Sequence, residues 1–202
     1  MLTKAEFDTE QLSICPGCGF KLLDRDSGNF GSGPSLNDTA SLEPTADRSR
    51  PTAGSSPACQ QLFHELCVYS LSLGDPEFIH QYVVDAYMAQ HWRKGDKPIG
   101  LTFALVGLYL ACELEFSGRQ VQVAHMLLVE TPKRWPEFPA RMSVAGVSAK
   151  NVLEHREGEE RNRAIRQWAE AVWLSWYPAR EQIVTLVRER LPTAQSTGSA
   201  YF

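Results

Sequence analysis

The sequence has few of the features that mark membrane, secreted or nucleic-acid-binding proteins. Its longest apolar run, at 99–112, covers only fourteen residues before Glu113, which is too short to span a bilayer. The first fourteen residues are acidic and polar, without the basic start and apolar stretch of a signal peptide. The net charge of −4 gives no general attraction to nucleic acid or to anionic lipid. We therefore expect a cytoplasmic protein that does not enter a membrane, and nucleic-acid binding is disfavoured.

The sequence has few cysteines, and their number is odd, which argues against a disulfide framework. Five cysteines without a secretion signal are typical of a reducing compartment, where paired thiols more often hold a metal. The sequence also lacks a phosphate-binding loop, a dinucleotide fingerprint and a serine nucleophile elbow. No residue therefore stands out as catalytic by motif.

The composition indicates one globular unit with a polar insertion near its N-terminus. Hydrophobic residues make up 43% of the 202 residues and charged residues 22%, which is ordinary for a globular chain. Residues 24–56 are rich in Gly, Ser, Pro, Thr and Asp and cannot bury enough apolar surface to offset their ordering entropy. We expect a zinc knuckle arm at 1–23, a flexible loop at 24–56, a helical domain at 57–191 and a frayed tail at 192–202.

Apolar residues recur at helical spacing from Pro57 onward and predict an all-α helical bundle. Ser56 is a candidate cap for the first helix, which Gly74 ends, and Asp75 is a candidate cap for the second, which runs to His91 or Trp92. The short connection makes these two helices an antiparallel hairpin. The later helices are predicted at about 100–116, 120–129, 148–155, 159–177 and 178–191. The first of these is apolar nearly all round and belongs in the centre.

The motif Cys-Pro-Gly-Cys-Gly, at Cys15 and Cys18, is the strongest local signal. Two thiolates on a tight turn can bind one tetrahedral zinc ion. The alternatives are a redox pair or two incidental thiols. Redox pairs usually open a helix after a strand, and no alternation of strands and helices follows here. One such pair supplies only half of a tetrahedral site, so two further ligands must come from elsewhere in the chain.

Hairpin geometry narrows the choice of the other two ligands. Cys59 begins the first predicted helix and His91 ends the second, so the two residues meet at the same end of an antiparallel pair. The predicted site is therefore Cys15, Cys18, Cys59 and His91, with zinc as the cofactor. Two alternatives stay open: Cys59 as a small buried apolar residue, and His91 as a helix-end cation favoured by the helix dipole.

A second group of polar residues lies on the second and fourth predicted helices. It comprises His80, Asp85, Tyr87 and His125. Histidines and an acid on neighbouring helices could bind a metal with an open position and activate water, as in a metal-dependent hydrolase. The alternative is a set of satisfied core residues, in which Asp85 accepts a hydrogen bond from a buried tyrosine or tryptophan.

Several of these stretches together resemble an uncharacterised bacterial family of domains of unknown function. They are Cys-Pro-Gly-Cys-Gly, the Ser-Pro-Ala-Cys ending at Cys59, the stretches 80–91 and 105–125, and the tryptophan-rich stretch 168–176. The resemblance covers most of residues 14–177. It implies that six residues match recurring polar positions of the family: Cys15, Cys18, Cys59, His80, Asp85 and His91. It brings no established activity. Ala104 stands where the resemblance would place a histidine.

Taken together, these observations predict a zinc-stabilised helical protein that is not a catalyst and binds an unknown protein partner. The alternative is a metal-dependent enzyme of hydrolase type that uses the cluster around Asp85. The two differ in the number of metal ions bound and in whether a metal keeps an open position.

Overall fold

The described part of the chain is all-α, as the sequence predicts. A computed structural model describes residues 14–17, 19, 55–131, 134–143 and 146–191. The α-helices in these ranges are α1 (Pro57–Ser72), α2 (His80–His91), α3 (Pro98–Glu113), α4 (Gly118–Val129), α5 (Ala149–Leu153), α6 (Glu159–Ser175) and α7 (Arg180–Arg190), with a 3₁₀ turn at Tyr177–Ala179. Cys18, residues 24–54 of the predicted flexible loop and the predicted tail at 192–202 lie outside the described residues.

The start of α1 follows from its capping residues. Ser56 has extended backbone angles, and its hydroxyl accepts a hydrogen bond from the backbone N–H of Cys59 at 3.2 Å. Pro57 follows at the first helical position, where its missing N–H has no cost. This cap confirms the predicted start of the helix and fixes Cys59 in its first turn.

The prediction that α2 starts at Asp75 is wrong, because the helix begins at His80. The carboxylate of Asp75 does cap backbone N–H groups, those of Glu77 at 2.8 Å and Ile79 at 3.1 Å. Phe78, however, has a φ of 55°, in the left-handed region that a continuous helix cannot contain. Asp75 therefore closes a turn that precedes the helix.

The other helix bounds differ from the prediction by a few residues. The helix α4 begins at Gly118, where a break was predicted, because the side chains and backbone N–H groups of Ser117 and Gln120 form a reciprocal capping box. The helix α3 lies slightly earlier than predicted, and α5 and α6 end two residues earlier than predicted.

The helix α3 lies at the centre of the bundle and packs against α2, α4, α6 and α7. The helix α2 packs in turn against α1, α3, α4 and α6. Trp135 and Phe138, in the irregular segment after α4, are partly buried against this core. None of the helices in the described ranges combines the length and apolar character that crossing a bilayer requires. The packing brings the N-terminus of α1 and the C-terminus of α2 together.

Candidate metal centre

Two cysteines from distant parts of the chain meet at the N-terminus of α1. The Sγ atoms of Cys15 and Cys59 lie 3.4 Å apart, well beyond the roughly 2.05 Å of a disulfide bond. Cys15 is held by its own turn, in which its carbonyl accepts from the N–H of Gly19 at 2.9 Å. The backbone N–H of Ser56 points at its sulfur, at 3.4 Å. The start of a helix therefore faces both sulfurs and favours negative charge on them.

His91, the last residue of α2, completes a group of three. Its Nδ1 lies 2.9 Å from the carbonyl oxygen of Tyr87. A carbonyl can only accept, so Nδ1 carries the proton and Nε2 presents a lone pair. The imidazole is further fixed by the ring of Tyr87, whose centroid is 4.1 Å away and which stacks on Phe63 at 3.9 Å. His91 is thus held in the tautomer and orientation of a metal ligand.

These three side chains could hold a metal ion. Their ligand atoms all lie within 4.8 Å of one another, and all three residues are buried. The Nε2 atom of His91 is buried and has no hydrogen-bond partner within the described part of the chain, which is costly unless something binds there. Around an ion with Zn–S bonds of about 2.3 Å, tetrahedral sulfurs lie about 3.8 Å apart. The observed separation of the sulfurs is close to that value.

Gly17 leaves room for an ion beside these ligands. A Cβ atom on this residue would lie 2.7 Å from His91 Nε2 and 2.8 Å from Cys59 Sγ. Both distances are too short for ordinary packing, so any side chain here would enter the space between the donors. The close approach of Gly17 to the ligands appears only in three dimensions.

Gln90 supports the site and was missed by the sequence analysis. Its Nε2 donates to the carbonyl of Val147 at 2.8 Å and points at that of Pro16 at 3.4 Å. Its backbone carbonyl accepts from Arg141 at 2.5 Å. Gln90 therefore connects the turn that carries Cys15 with the segment before α5. The only signal for it in the sequence is its place next to His91.

Two further cysteines among the described residues are not suited to metal binding. Burial raises the pKa of Cys67 to about 11 and that of Cys112 to about 12. Both therefore remain protonated thiols at neutral pH, whereas a metal ligand is a thiolate. Cys67 lies two turns past Cys59 on α1, and Cys112 lies on α3. Among the described residues, the group that could hold a metal thus consists of Cys15 on the N-terminal turn with Cys59 and His91 at the facing ends of α1 and α2.

The second group predicted from the sequence is divided among several places in the structure. His80 Nδ1 is hydrogen-bonded to Ser70 Oγ of α1 at 2.9 Å, rather than to His125. Tyr87 stands beside His91. Asp85 and His125 do come together, at Gly107 of α3, where a Cβ atom would overlap Asp85 Oδ2 and lie 3.1 Å from the His125 ring. The absence of a side chain at Gly107 permits this approach.

The Asp85 cluster, which we define as Gln81, Asp85, Gly107 and His125, is a buried polar network. Gln81 donates to Asp85 Oδ1 at 3.1 Å and lies 3.5 Å from Nδ1 of His125. The partner of Asp85 is therefore Gln81, one turn earlier on the same helix, and not the tyrosine or tryptophan that the sequence suggested. Nε2 of His125 donates to the carbonyl of Phe103 at 3.0 Å.

Burial favours the neutral form of both titratable members of the Asp85 cluster. Desolvation raises the pKa of Asp85 well above its ordinary value, and the hydrogen bond from Gln81 only partly opposes this. Desolvation also lowers the pKa of His125 to about 4. A carboxylic acid must lose its proton to coordinate a metal, so the burial of Asp85 opposes metal binding here. The arrangement fits a structural polar cluster better than an open catalytic metal site.

Comparison with known proteins gives a family match. A family model described as a family of unknown function (DUF5946) matches residues 13–177. The matched range begins just before Cys15 and ends just past α6, so it includes the metal-binding group and the Asp85 cluster. No match is found among curated proteins or among solved structures.

Proposed function

Because the chain belongs to the family of unknown function DUF5946, its function must be argued from its geometry, and we propose a zinc-stabilised helical protein that is not a catalyst and binds a protein partner. The observation that carries this proposal is the buried group of Cys15, Cys59 and His91. A structural zinc site is closed by four protein ligands, whereas a catalytic one leaves a position open to substrate.

The fourth ligand in this proposal is Cys18, three positions after Cys15. Cys18 lies outside the described residues, so its role rests on the spacing of the motif. Three thiolates and one imidazole form a donor set that suits zinc. Such a set needs a reducing compartment such as the cytoplasm, where cysteines stay reduced.

Zinc bound here would connect the helical bundle to a segment that lies far from it in the sequence. Cys15 lies 44 residues before Cys59, and the turn that carries it meets α2 through the hydrogen bond from Gln90 to the carbonyl of Pro16. The ion would add the free energy of binding to the free energy of folding, since the unfolded chain offers no preformed site. Its role is therefore to hold the N-terminal segment across the ends of α1 and α2.

Partner binding is proposed from apolar side chains at the surface. Val68 and Leu71 on α1, and Met126 and Val129 on α4, are each more than half exposed. Exposed apolar residues that cluster on one helix face often mark contact surfaces. The alternative, a metal-dependent enzyme of hydrolase type, would use the Asp85 cluster, whose neutral groups favour a structural role.

Metal analysis of the purified protein tests the proposal. We expect one zinc per chain, and we expect it to be lost in Cys18→Ser, Cys59→Ser and His91→Ala. Cys67→Ser is the matched control, because it removes a thiol from the same helix as Cys59 without touching the site. A zinc-free protein, or zinc retained in all three ligand variants, would overturn the structural site. A second metal ion lost in Asp85→Asn would favour the enzyme instead.

A further inference from the structure

The helix α4 has an apolar surface on both sides. Val121, Ala124 and Leu128 face inward and are fully buried. On the outward side, Met126 is 67% exposed and Val129 is 51% exposed. A surface helix usually carries charged residues there. Between Arg119 and Glu130 this helix has none apart from His125, which belongs to the buried Asp85 cluster.

Two charged residues, Arg119 and Glu130, stand at the opposite ends of α4 and lie on the same side of the helix. At 100° per residue, Arg119, Val123, Met126 and Glu130 fall within an arc of about 60°. These four residues, flanked by Leu127 and Val129, are called the outer face of α4. The stripe is thus positive at its first turn, apolar along its middle and negative at its end.

Each end charge is unfavourable for its own helix. The N-terminus of a helix carries a partial positive charge and the C-terminus a partial negative one. Arg119 stands in the first turn, where its guanidinium lies over the ring of Phe78 and donates to Gln122 Oε1 at 2.7 Å, and Glu130 is the C-terminal cap. The guanidinium keeps further N–H donors, so both charges are better placed beside the opposite end of another helix. An antiparallel helix provides this at both ends.

A second copy of the same helix matches the stripe. The midpoint between Arg119 and Glu130 falls between positions 124 and 125, and Val123 and Met126 are symmetric about the same point. Around a two-fold axis there, Arg119 faces the partner's Glu130, and Val123 faces the partner's Met126. A parallel arrangement would instead bring like charges together.

We infer that the outer face of α4 pairs antiparallel with that of a second copy of this chain. A twelve-residue helix spans about 18 Å, so the contact is smaller than the roughly 1,200 Å² of standard stable interfaces. The dimer is therefore reversible and depends on protein concentration. This inference identifies one partner under the proposed function, but it stands on different residues from the zinc site.

Sedimentation equilibrium on the full-length, zinc-loaded protein tests the pairing. We expect a monomer–dimer equilibrium, and we expect Arg119→Glu and Glu130→Arg to weaken it about tenfold each, because like charges then oppose one another. The double variant Arg119→Glu/Glu130→Arg restores opposite charges and should recover most of the affinity. Met126→Glu should abolish the dimer.

Leu174→Glu is the matched control, since it places the same charge on a position of α6 that is apolar and 53% exposed. It should leave the equilibrium unchanged. A protein that stays monomeric at all concentrations, or a double variant that associates no better than the single ones, would overturn the inference. Zinc content and circular dichroism of the same samples separate this outcome from failure of the metal site or of folding.

Discussion

The side-chain oxygen of Gln90 accepts a hydrogen bond from the indole N–H of Trp168 at 3.0 Å, although the two residues are 78 positions apart. With the carbonyls of Val147 and Pro16 on its Nε2, the amide of Gln90 has partners for its oxygen and for both of its protons. It is also almost completely buried, with 1% of its surface exposed. One side chain thus connects α6, the segment before α5 and the turn of Cys15, directly beside the candidate metal ligand His91.

Gln90→Ala should therefore destabilise the fold and weaken metal binding together. It leaves the buried indole N–H of Trp168 without an acceptor, and a buried unsatisfied group costs about 1–3 kcal/mol. We expect a loss of about 3 kcal/mol in the free energy of unfolding in urea, and a lower zinc affinity in competition with a chelator. Gln182→Ala, on the exposed side of α7, is the control. Equal stability of the two variants would show that the amide network contributes little.

Gly17→Ala should impair zinc binding while the helices remain folded. The new methyl group would lie within 3 Å of both His91 Nε2 and Cys59 Sγ, so the ligands would have to move apart. We expect zinc affinity to fall about tenfold to a hundredfold, the range seen when the surroundings of a metal site are altered. Gly146→Ala is the control, because a Cβ atom there meets no atom within 4 Å. Matching affinities in the two variants would contradict this role of Gly17.

Stability should fall as the pH is lowered from about 6.5 to 4, in part because of His125. Burial lowers its pKa from 6.5 to about 4 in the folded protein. Between these values the unfolded state binds a proton that the folded state does not, so acid favours unfolding. The difference amounts to about 3 kcal/mol at 1.36 kcal/mol per pKa unit. Urea titrations across this range should show a smaller pH slope for His125→Gln.

His64→Gln is the control for the pH experiment, because His64 is an exposed residue of α1. Both variants keep His91, so acid loss of zinc affects them equally. If His125→Gln and His64→Gln show the same dependence on pH, the protonation of His125 does not limit acid stability.

Asp85→Asn should stabilise the protein at neutral pH. Burial raises the folded-state pKa of Asp85, so above its ordinary pKa the folded state holds a proton that the unfolded state has released. Stability then decreases as the pH rises toward the folded-state pKa. Asparagine is neutral throughout and avoids this loss, which is about 1.4 kcal/mol for each pKa unit.

The measurement for Asp85→Asn is the difference in unfolding free energy from the unsubstituted protein at pH 4 and at pH 8. The advantage of the variant should be small at the lower pH and larger at the higher one. The opposite result would be a variant whose unfolding free energy, compared with that of the unsubstituted protein, is lower at pH 8 than at pH 4. It would indicate that Asp85 is ionised and engaged in the folded state.

Most of the helices could be predicted from the sequence because their signals are local. Ser56 and Pro57 set the start of α1 through contacts within a single turn. The start of α2 could not be predicted in this way. The left-handed conformation of Phe78 accompanies a hydrogen bond from Arg119 N to the carbonyl of Glu77 at 3.1 Å. That bond joins the turn before α2 to the first turn of α4, and it leaves no local pattern in the sequence.

The candidate site likewise has features that the sequence could predict and features that it could not. That Cys59 and His91 lie at one end of the hairpin could be argued from helix lengths alone. The partners of Gln90 could not, because Pro16, Val147 and Trp168 come from three separate segments. The hydrogen bond from Gln81 to Asp85 had a signal that was overlooked, since the two residues are four positions apart on one helix. Zinc itself and the role of Cys18 remain predictions.

Main-chain contacts with the turn before α2 hold the first turn of α4 in place. Arg119 N donates to the carbonyl of Glu77, and Gly118 packs so closely on the backbone of Phe78 that a side chain there would overlap it. Among outward side chains, that of Arg119 takes part by lying over the ring of Phe78. Substitutions at Met126, Leu127 or Val129 would therefore change the exposed surface of α4 while these contacts keep the start of the helix in place.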